Sequence, residues 1–333
     1  MSVAPQQTAA TSPTAAVDEP AEPIRDLAHL GHIELLTPDL EATRAFFIDL
    51  FGLNEVATEG DSVYLRAYGD YDHTTLKLTA AAARGLGHVG WRAVSPQALT
   101  RRVLAIENLG LGEGWIDGDV GHGPAYRFRD PDGHQLELYY DSERFIATGA
   151  DCSYLPNQPQ AFSGRGVGAR RLDHHNLFCV DVAATSKFYE DALGFRAREE
   201  IVVDGIRRAA WMSVTSSPHD VALTTDRTRT PGRFHHLAYW VDNREDVLRA
   251  AELMMEHGIE IECGPAKHSR TQGFYLYMYE PGGNRVEVFS GGFVVYAPDW
   301  PTVTWSTNTL ARGTAWGADV PDSFHTYGSP PVG

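Results

Sequence analysis

Two histidine-rich segments contain residue types that bind metal ions and transfer protons. Segment 233–290 has a histidine pair at 235–236 near its start and Glu287 near its end. A second histidine pair, at 174–175, lies in another apolar segment. Two histidines and one carboxylate on separate strands can form the facial triad that binds non-haem iron(II) and leaves coordination positions open. The sequence therefore predicts a metal centre built from these segments.

The elements that must position this centre belong to an internal repeat. In the first repeated segment, His32 lies 20 residues before Gly52, and in its second copy His174 lies 20 residues before Gly194. The matched segments are 30–52 with 172–194, 86–91 with 234–239, and 130–137 with 280–287. Repetition of this kind indicates duplicated structural units. We predict four related modules, each consisting of a strand, an amphipathic helix and several further strands.

The repeat selects one member of each histidine pair. It aligns His32 with His174 and His88 with His236. Adjacent residues of a strand point to opposite faces of a sheet, so only one member of a pair can face a given centre. A lone strand histidine is more often structural, but matching positions in duplicated modules favour metal binding. His174, His236 and Glu287 are therefore the predicted ligands.

The order of segments predicts how the chain is divided. Composition is rich in Gly, Ser, Pro and Gln between the two halves, which is typical of a linker. We expect four aromatic side chains to anchor the C-terminal tail, namely Tyr296, Trp300, Trp305 and Trp316. The expected divisions are a disordered tail at 1–24, a structural N-terminal module pair at 25–145, a linker at 146–168, a C-terminal module pair with the metal site at 169–293, and a tail packed on the body at 294–333.

Composition limits the classes of partner. The net charge of -16, from 44 acidic and 28 basic residues, argues against nucleic acid, which is bound by basic surfaces. No apolar run approaches the length of a membrane span, and the first residues lack the pattern of a signal peptide. The three cysteines contain no Cys-x-x-Cys pair. We expect a cytoplasmic protein that contacts neither nucleic acid nor membrane.

These motifs resemble the type I extradiol ring-cleaving dioxygenases of the vicinal oxygen chelate superfamily, in the branch of catechol 2,3-dioxygenase and homoprotocatechuate 2,3-dioxygenase. The resemblance extends from Ile24 to Trp316. The matching pieces are 172–174, 210–212, 219–224, 235–236, 264–265 with His268, 275–277 and 281–287. It implies an α+β fold of four βαβββ modules paired into two domains, and it suggests a homotetramer.

The resemblance implies an iron(II) ion at His174, His236 and Glu287, with manganese(II) as the alternative metal. The implied reaction joins dioxygen to a small aromatic diol. A catechol would bind the metal through both oxygens, which lowers the pKa of its hydroxyl groups. Cleavage of the ring beside the diol would give a 2-hydroxymuconic semialdehyde.

The resemblance also implies roles for residues around the metal. His219 is suited to receive a substrate proton and return it later. Tyr277 lies nine residues after His268 and ten before Glu287, as in the family, and can donate a hydrogen bond to a substrate oxygen. His268 would complete the polar edge of the site. Asn176 and Trp211 match positions that line the substrate pocket, although Trp211 also suits a core position.

Two departures concern the charge of the substrate. Family members that act on catechols with a carboxylate side arm have an arginine where this chain has Cys263. They also have two consecutive arginines in the tail, where this chain has Arg312 followed by Gly313. Loss of a hydrogen bond to a charged group forfeits about 1.5–3 kcal/mol. We therefore predict an uncharged catechol, such as catechol itself or an alkyl- or aryl-substituted one.

The N-terminal half repeats the ligand pattern with His32, His88 and Glu137, although that half is usually metal-free in the family. His73 resembles His219, but Arg127 stands at the position of Tyr277. We expect a relic or a structural site there.

Two alternatives to a dioxygenase stay open from the residues alone. One is another metalloenzyme of the superfamily, such as a glyoxalase-type isomerase or a thiol transferase. The other is a metal-free protein that sequesters a ligand between module pairs.

Overall fold

The computed structural model describes residues 25–297, 299–309 and 313–332. The predicted disordered tail at 1–24 lies outside these residues. Each of the four modules runs strand, helix and three strands, as the α+β prediction requires.

The N-terminal half contains two modules. A short π-helical turn at Phe46–Leu50 follows the first helix. The elements are β1 (Leu27–Thr37), α1 (Leu40–Ala45), β2 (Asn54–Glu59), β3 (Ser62–Arg66), β4 (Leu76–Ala80), β5 (Gly85–Ala93), α2 (Pro96–Asn108), β6 (Gly112–Ile116), β7 (Ala125–Arg129) and β8 (Gln135–Tyr139).

The C-terminal half repeats the arrangement and adds the tail. A 3-10 turn at Gly149–Asp151 lies between the halves. The elements are β9 (Arg171–Cys179), α3 (Val182–Asp191), β10 (Arg196–Val203), β11 (Ile206–Ser213), β12 (Val221–Thr225), β13 (Phe234–Trp240), α4 (Arg244–Glu256), β14 (Ile261–His268), β15 (Gly273–Tyr279), β16 (Arg285–Gly291), β17 (Val303–Trp305), β18 (Thr314–Trp316) and α5 (Ser323–Thr326).

The first helix of every module begins at a polar cap. In each case the side chain accepts a hydrogen bond from the backbone N–H three residues later, which satisfies one of the unpaired donors of the first turn. The caps are Asp39, Ser95, Asp181 and Asn243. Because the cap lies close behind the first strand of its module, it fixes where the chain leaves the sheet.

Each half forms one sheet whose central strands come from both of its modules. The N-terminal sheet has the strand order β2-β3-β4-β1-β5-β8-β7-β6. The C-terminal sheet has the order β17-β10-β11-β12-β9-β13-β16-β15-β14-β18. The strands β9, β13 and β16 are therefore neighbours, as are β1, β5 and β8. These are the strands on which the two sets of predicted ligands lie.

The two halves contact each other through the turns before their last repeated strands. In the N-terminal half, Asp132 accepts hydrogen bonds from the backbone N–H groups of Val180 and Gly232. In the C-terminal half, Glu280 accepts a hydrogen bond from the Thr43 hydroxyl. Asn284 in the same turn donates to a backbone carbonyl of β1. Each half thus supplies a turn that holds the first strands of the other.

The C-terminal segment adds a strand to each edge of its sheet. β17 pairs with β10 and β18 pairs with β14. Of the four expected aromatic anchors, Trp305 donates a hydrogen bond to the buried Glu199. Tyr296 and Trp300 differ from the expectation, because their side chains are 89% and 64% exposed. Strand pairing, rather than ring burial, attaches much of this segment.

Within the described residues, every helix is too short or too polar to span a membrane.

Candidate metal centre

Three predicted ligands meet on adjacent strands of the C-terminal sheet. His174 lies on β9, His236 on β13 and Glu287 on β16. The Nε2 atoms of the two histidines lie 3.0 and 3.1 Å from Oε2 of the glutamate. Ala238 explains the convergence, because its position on β13 pairs with His174 on one side and with Glu287 on the other. All three ligand side chains are buried.

The outer nitrogen of each histidine ligand has its own partner. His174 Nδ1 lies 2.8 Å from a carboxylate oxygen of Asp173, which can only accept, so Nδ1 carries the proton. His236 Nδ1 lies 2.7 Å from His235 Nδ1. That second atom accepts from Arg285 Nη1 at 3.1 Å, so it also accepts the His236 proton. Both Nδ1 atoms therefore carry a proton, and both Nε2 atoms face the centre, where they could bind a metal ion as metal-binding histidines do.

The donor set fits a divalent metal ion. Among the described residues, His236 Nε2 and Glu287 Oε1 are buried and have no hydrogen-bond partner. Burial would raise the pKa of the Glu287 carboxyl, but the neighbouring His174, His236 and His268 side chains hold it well below its usual value. Neighbouring donors of an ion bound at about 2.1 Å lie about 3.0 Å apart, which agrees with the distances above. Two imidazoles and a carboxylate are the ligands of a facial triad.

The other predicted polar residues surround this triad. The rings of His219 and His174 have centroids 4.0 Å apart. His268 Nε2 lies 3.1 Å from the Tyr277 hydroxyl and 3.5 Å from Glu287 Oε1. The register explains Tyr277, because it pairs directly with Glu287 across β15 and β16. The structure therefore brings all three predicted residues to the triad.

Burial sets the protonation of two of these residues. It lowers the pKa of His219 well below its usual value, and the neighbouring His174 lowers it further. It raises the pKa of Tyr277 well above its usual value, with Glu287 adding to the shift. At neutral pH His219 is thus a neutral imidazole that can accept a proton, whereas Tyr277 keeps its hydroxyl proton. The Nδ1 atom of His219 is also buried without a partner among the described residues.

The triad opens into a cavity of about 480 Å³. Asn176 and Trp211 line it as predicted, and the Asn176 carboxamide oxygen accepts a hydrogen bond from Thr224. Much of the remaining wall is apolar. These lining residues are Ile201, Ala209, Ala222, Phe289, Val320 and Phe324.

Several functional neighbours were missed in the sequence. Asp173 and His235 orient the ligands, and the signal for both was their position directly beside a ligand histidine. Phe324 of the short helix α5 covers the cavity, but no periodic pattern in the tail pointed to it. Two cations also reach the wall of the cavity, Arg227 and Arg270.

Cys263 and Gly313, which replace arginines of the family members that act on carboxylate-bearing catechols, lie in different surroundings. Cys263 is buried in a small cluster with Tyr275 and Tyr277. Gly313 lines the cavity. Arg312 lies outside the described residues.

Sequence comparison places this geometry among known proteins. The profile of the Glyoxalase/Bleomycin resistance protein/Dioxygenase superfamily matches residues 29–138 and 171–288. A metapyrocatechase of Geobacillus stearothermophilus is 45% identical over 93% of this chain and 95% of its own. A manganese-dependent 2,3-dihydroxybiphenyl 1,2-dioxygenase of Geobacillus genomosp. 3 is 39% identical over 87% of this chain and 94% of its own.

Structure comparison gives the same picture. The crystal structure of homoprotocatechuate 2,3-dioxygenase from Arthrobacter globiformis matches with a TM-score of 0.83 at 28% identity. The match covers 94% of this chain and 95% of that one. The similarity therefore includes both halves of the molecule.

Proposed function

We propose that this chain opens an uncharged catechol at a metal ion held by His174, His236 and Glu287. The chain belongs to the Glyoxalase/Bleomycin resistance protein/Dioxygenase superfamily and is an extradiol catechol dioxygenase. One observation carries the assignment of the site. The triad shares a cavity with a neutral histidine, His219, and a protonated tyrosine, Tyr277. A product of the 2-hydroxymuconic semialdehyde type follows from cleavage beside the diol.

The proposed metal is iron(II), with manganese(II) as the alternative. The His–His–Glu donor set suits non-haem iron(II) and leaves coordination positions for other ligands. When bound, the ion would act as a Lewis acid that lowers the pKa of the catechol hydroxyls and orients both reactants. The relative from Geobacillus genomosp. 3 is named as manganese-dependent, so manganese is a reasonable second metal to test.

His219 is the proposed proton carrier. It lies against His174 on the cavity wall, and its neutral ring is ready to accept a proton from the bound diol. The same ring can return the proton after dioxygen has reacted, because burial disfavours its charged form. A positioned group of this kind contributes typically about 10²–10⁴-fold to the rate.

Tyr277 and His268 are proposed to hold the substrate oxygens. Their side chains form a hydrogen-bonded pair at 3.1 Å, beside the free oxygen of Glu287. The raised pKa of Tyr277 keeps it a hydrogen-bond donor towards an anionic substrate oxygen. Phe289 and Phe324 line the cavity and exclude water from the ring.

The proposed preference for an uncharged catechol rests on the lining of the cavity. The two cations on the wall are already engaged. Arg227 lies 3.7 Å from Asp322, and the Arg270 guanidinium stacks over Trp305 and interacts with Glu199. Burying a carboxylate without a charged partner is costly. The apolar lining suits a bare or alkyl-substituted ring.

One experiment tests the function directly. Metal-depleted protein is loaded with iron(II) or manganese(II) in separate samples, mixed with catechol in air, and followed by oxygen uptake and by the yellow colour of the product. We expect one dioxygen consumed for each catechol. The His236→Ala protein is the control and should be inactive with either metal. Absence of ring-opened product with both metals would contradict the proposal.

A further inference from the structure

The N-terminal half contains a second cluster of metal-binding side chains, on the equivalent strands. His32 lies on β1, His88 on β5 and Glu137 on β8. Their Nε2 and Oε1 atoms lie within 4.8 Å of one another. The histidine nitrogens are 2.8 Å apart, and they lie 3.2 and 3.6 Å from Glu137 Oε1. All three side chains are buried.

A fourth histidine, absent from the repeat pattern, points at the same oxygen. His122 lies in the loop between β6 and β7, and its Nε2 is 3.2 Å from Glu137 Oε1. Its side chain is only 5% exposed. Within the described chain, neither His122 Nε2 nor Glu137 Oε1 has a hydrogen-bond partner. A buried nitrogen and a buried carboxylate oxygen therefore face each other at 3.2 Å with no hydrogen bond assigned between them.

The outer hydrogen bonds fix two of these rings for metal binding. His88 Nδ1 lies 2.8 Å from the Glu34 carboxylate, and His122 Nδ1 lies 2.8 Å from the Gly123 carbonyl oxygen. Both partners only accept hydrogen bonds, so both Nδ1 atoms carry the proton and both Nε2 lone pairs point inward. This is the arrangement that surrounds metal-binding histidines. Without a cation, the lone pairs of His88 and His122 would face the Glu137 carboxylate, and His32 Nε2 would be the histidine nitrogen of the cluster left to donate a proton to it.

The second oxygen of the carboxylate is occupied. Arg127 Nε donates to Glu137 Oε2 at 3.1 Å, which leaves Oε1 as the single metal-binding oxygen. Four protein donors with no open position are typical of structural zinc sites. Zinc–nitrogen bonds of about 2.0–2.1 Å place tetrahedral donors about 3.3 Å apart. The distance between His32 and His88 and the distances from Glu137 Oε1 to the three histidines lie on both sides of that value. His122 is not among the donors that all lie within 4.8 Å of one another, so its ring would have to move towards the ion.

We propose that His32, His88, His122 and Glu137 bind a divalent metal ion, zinc by preference, at a closed site that joins β1, β5 and β8. The site is structural rather than catalytic, because Glu34, Lys77 and Asp119 form an ionic network beside it. Lys77 Nζ lies 2.6 Å from Asp119 and 3.5 Å from Glu34. A substrate would have to displace these charged groups.

Metal analysis of the full-length protein tests the site. A background variant that carries His174→Ala and His236→Ala removes the C-terminal centre, so any remaining metal reports on the N-terminal half. After chelation, reloading with zinc and desalting, this variant should retain about one zinc per chain, and the unmodified protein about two. Loss of all zinc from the background variant would overturn the proposal.

Further variants locate the retained ion. Adding His88→Ala to the background should remove it, whereas the matched control His73→Ala, in the same half but outside the cluster, should keep it. Zinc that survives His88→Ala lies elsewhere, and the proposal fails. If that variant does not fold, Glu34→Gln provides the second test, because loss of an orienting partner should weaken zinc binding by about 10–100-fold. Unchanged affinity in Glu34→Gln would also contradict the proposed site.

Discussion

The two halves of this protein place the same three ligand types on equivalent strands. They differ in the side chains that lie in front of these ligands. Lys77 pairs with Glu34 on β1 and with Tyr64 on β3. In the C-terminal half, Ala222 pairs with Asn176 on β9 and with Trp211 on β11. The register is identical. The positions that line a cavity in one half are therefore filled by an ionic network in the other.

The comparison shows that a ligand triad alone does not make a reaction site. Lys77, Glu34, Asp119 and the Tyr64 hydroxyl are joined by hydrogen bonds and ion pairs. The small neutral Ala222 leaves room for a substrate. The access of a substrate to the triad thus depends on side-chain volume and charge at neighbouring strand positions.

The residue opposite the carboxylate differs in the same way. Tyr277 pairs with Glu287, and Arg127 pairs with Glu137. The arginine neutralises the carboxylate directly, whereas the tyrosine keeps a hydroxyl available for a ligand. One half is arranged to stabilise charge and the other to react.

The largest expected effect separates the two carboxylates. Glu287→Gln should abolish metal-dependent turnover, because the triad loses its anionic ligand. The matched change Glu137→Gln should leave turnover near that of the unmodified protein and lower stability by about 3 kcal/mol, as expected when one member of a buried ionic network is removed. Turnover assays and thermal unfolding measure both. Equal loss of activity in the two variants would show that both halves take part in the reaction.

The next effect separates two similar histidines. His219→Phe should keep the metal and lower kcat by roughly 10²–10⁴-fold, the range of a general acid–base group. His73→Phe is the matched control in the other half and should have normal kcat, since His73 lies beside Phe145 outside the cluster. Metal content and kcat are measured for both. Normal kcat in His219→Phe would assign that residue to packing.

A third test exchanges the side chains at two equivalent positions, Lys77 in the N-terminal half and Ala222 in the C-terminal half. Ala222→Lys should lower kcat/KM for catechol by about 5–150-fold, because extra volume in a packed site costs about 1–3 kcal/mol. The reciprocal change Lys77→Ala should lower the melting temperature and leave kcat/KM nearly unchanged, since Glu34 and Asp119 lose their cation. An unchanged kcat/KM in Ala222→Lys would mean that the substrate does not approach β12.

The last test concerns substrate charge, and its expected effect is similar in size to that of the third. Catechol and alkylcatechols should exceed homoprotocatechuate in kcat/KM by about tenfold or more, the equivalent of a missing charge-assisted hydrogen bond. Cys263→Arg combined with Gly313→Arg should narrow this gap by supplying cations. Steady-state kinetics on both substrates measure it. A preference of the unmodified protein for homoprotocatechuate would mean that Arg227 or Arg270 already binds the side arm.

Much of the fold and the triad could be predicted, because the modules follow from the internal repeat and the choice of ligands follows from the alternation of strand residues. The spacing repeated in the two halves gave the modules, and strand alternation distinguished His174 and His236 from their neighbours. His122 could not be predicted, since it lies on a loop with no counterpart in the repeat. His73 illustrates the opposite case, because its local sequence resembles that of His219 while its loop directs it elsewhere. Contacts that depend on loop paths are not encoded in periodicity.

The reciprocal contacts between the two turns have an evolutionary consequence. Each turn holds the first strands of the opposite half, which is the pattern of an isologous dimer interface, where one surface binds its own copy. Such a pattern is expected if two identical subunits once associated and their genes were later fused. A symmetric ancestor would have been obliged to change both centres at once. Fusion released that constraint, so one copy could lose its opening while the other retained it.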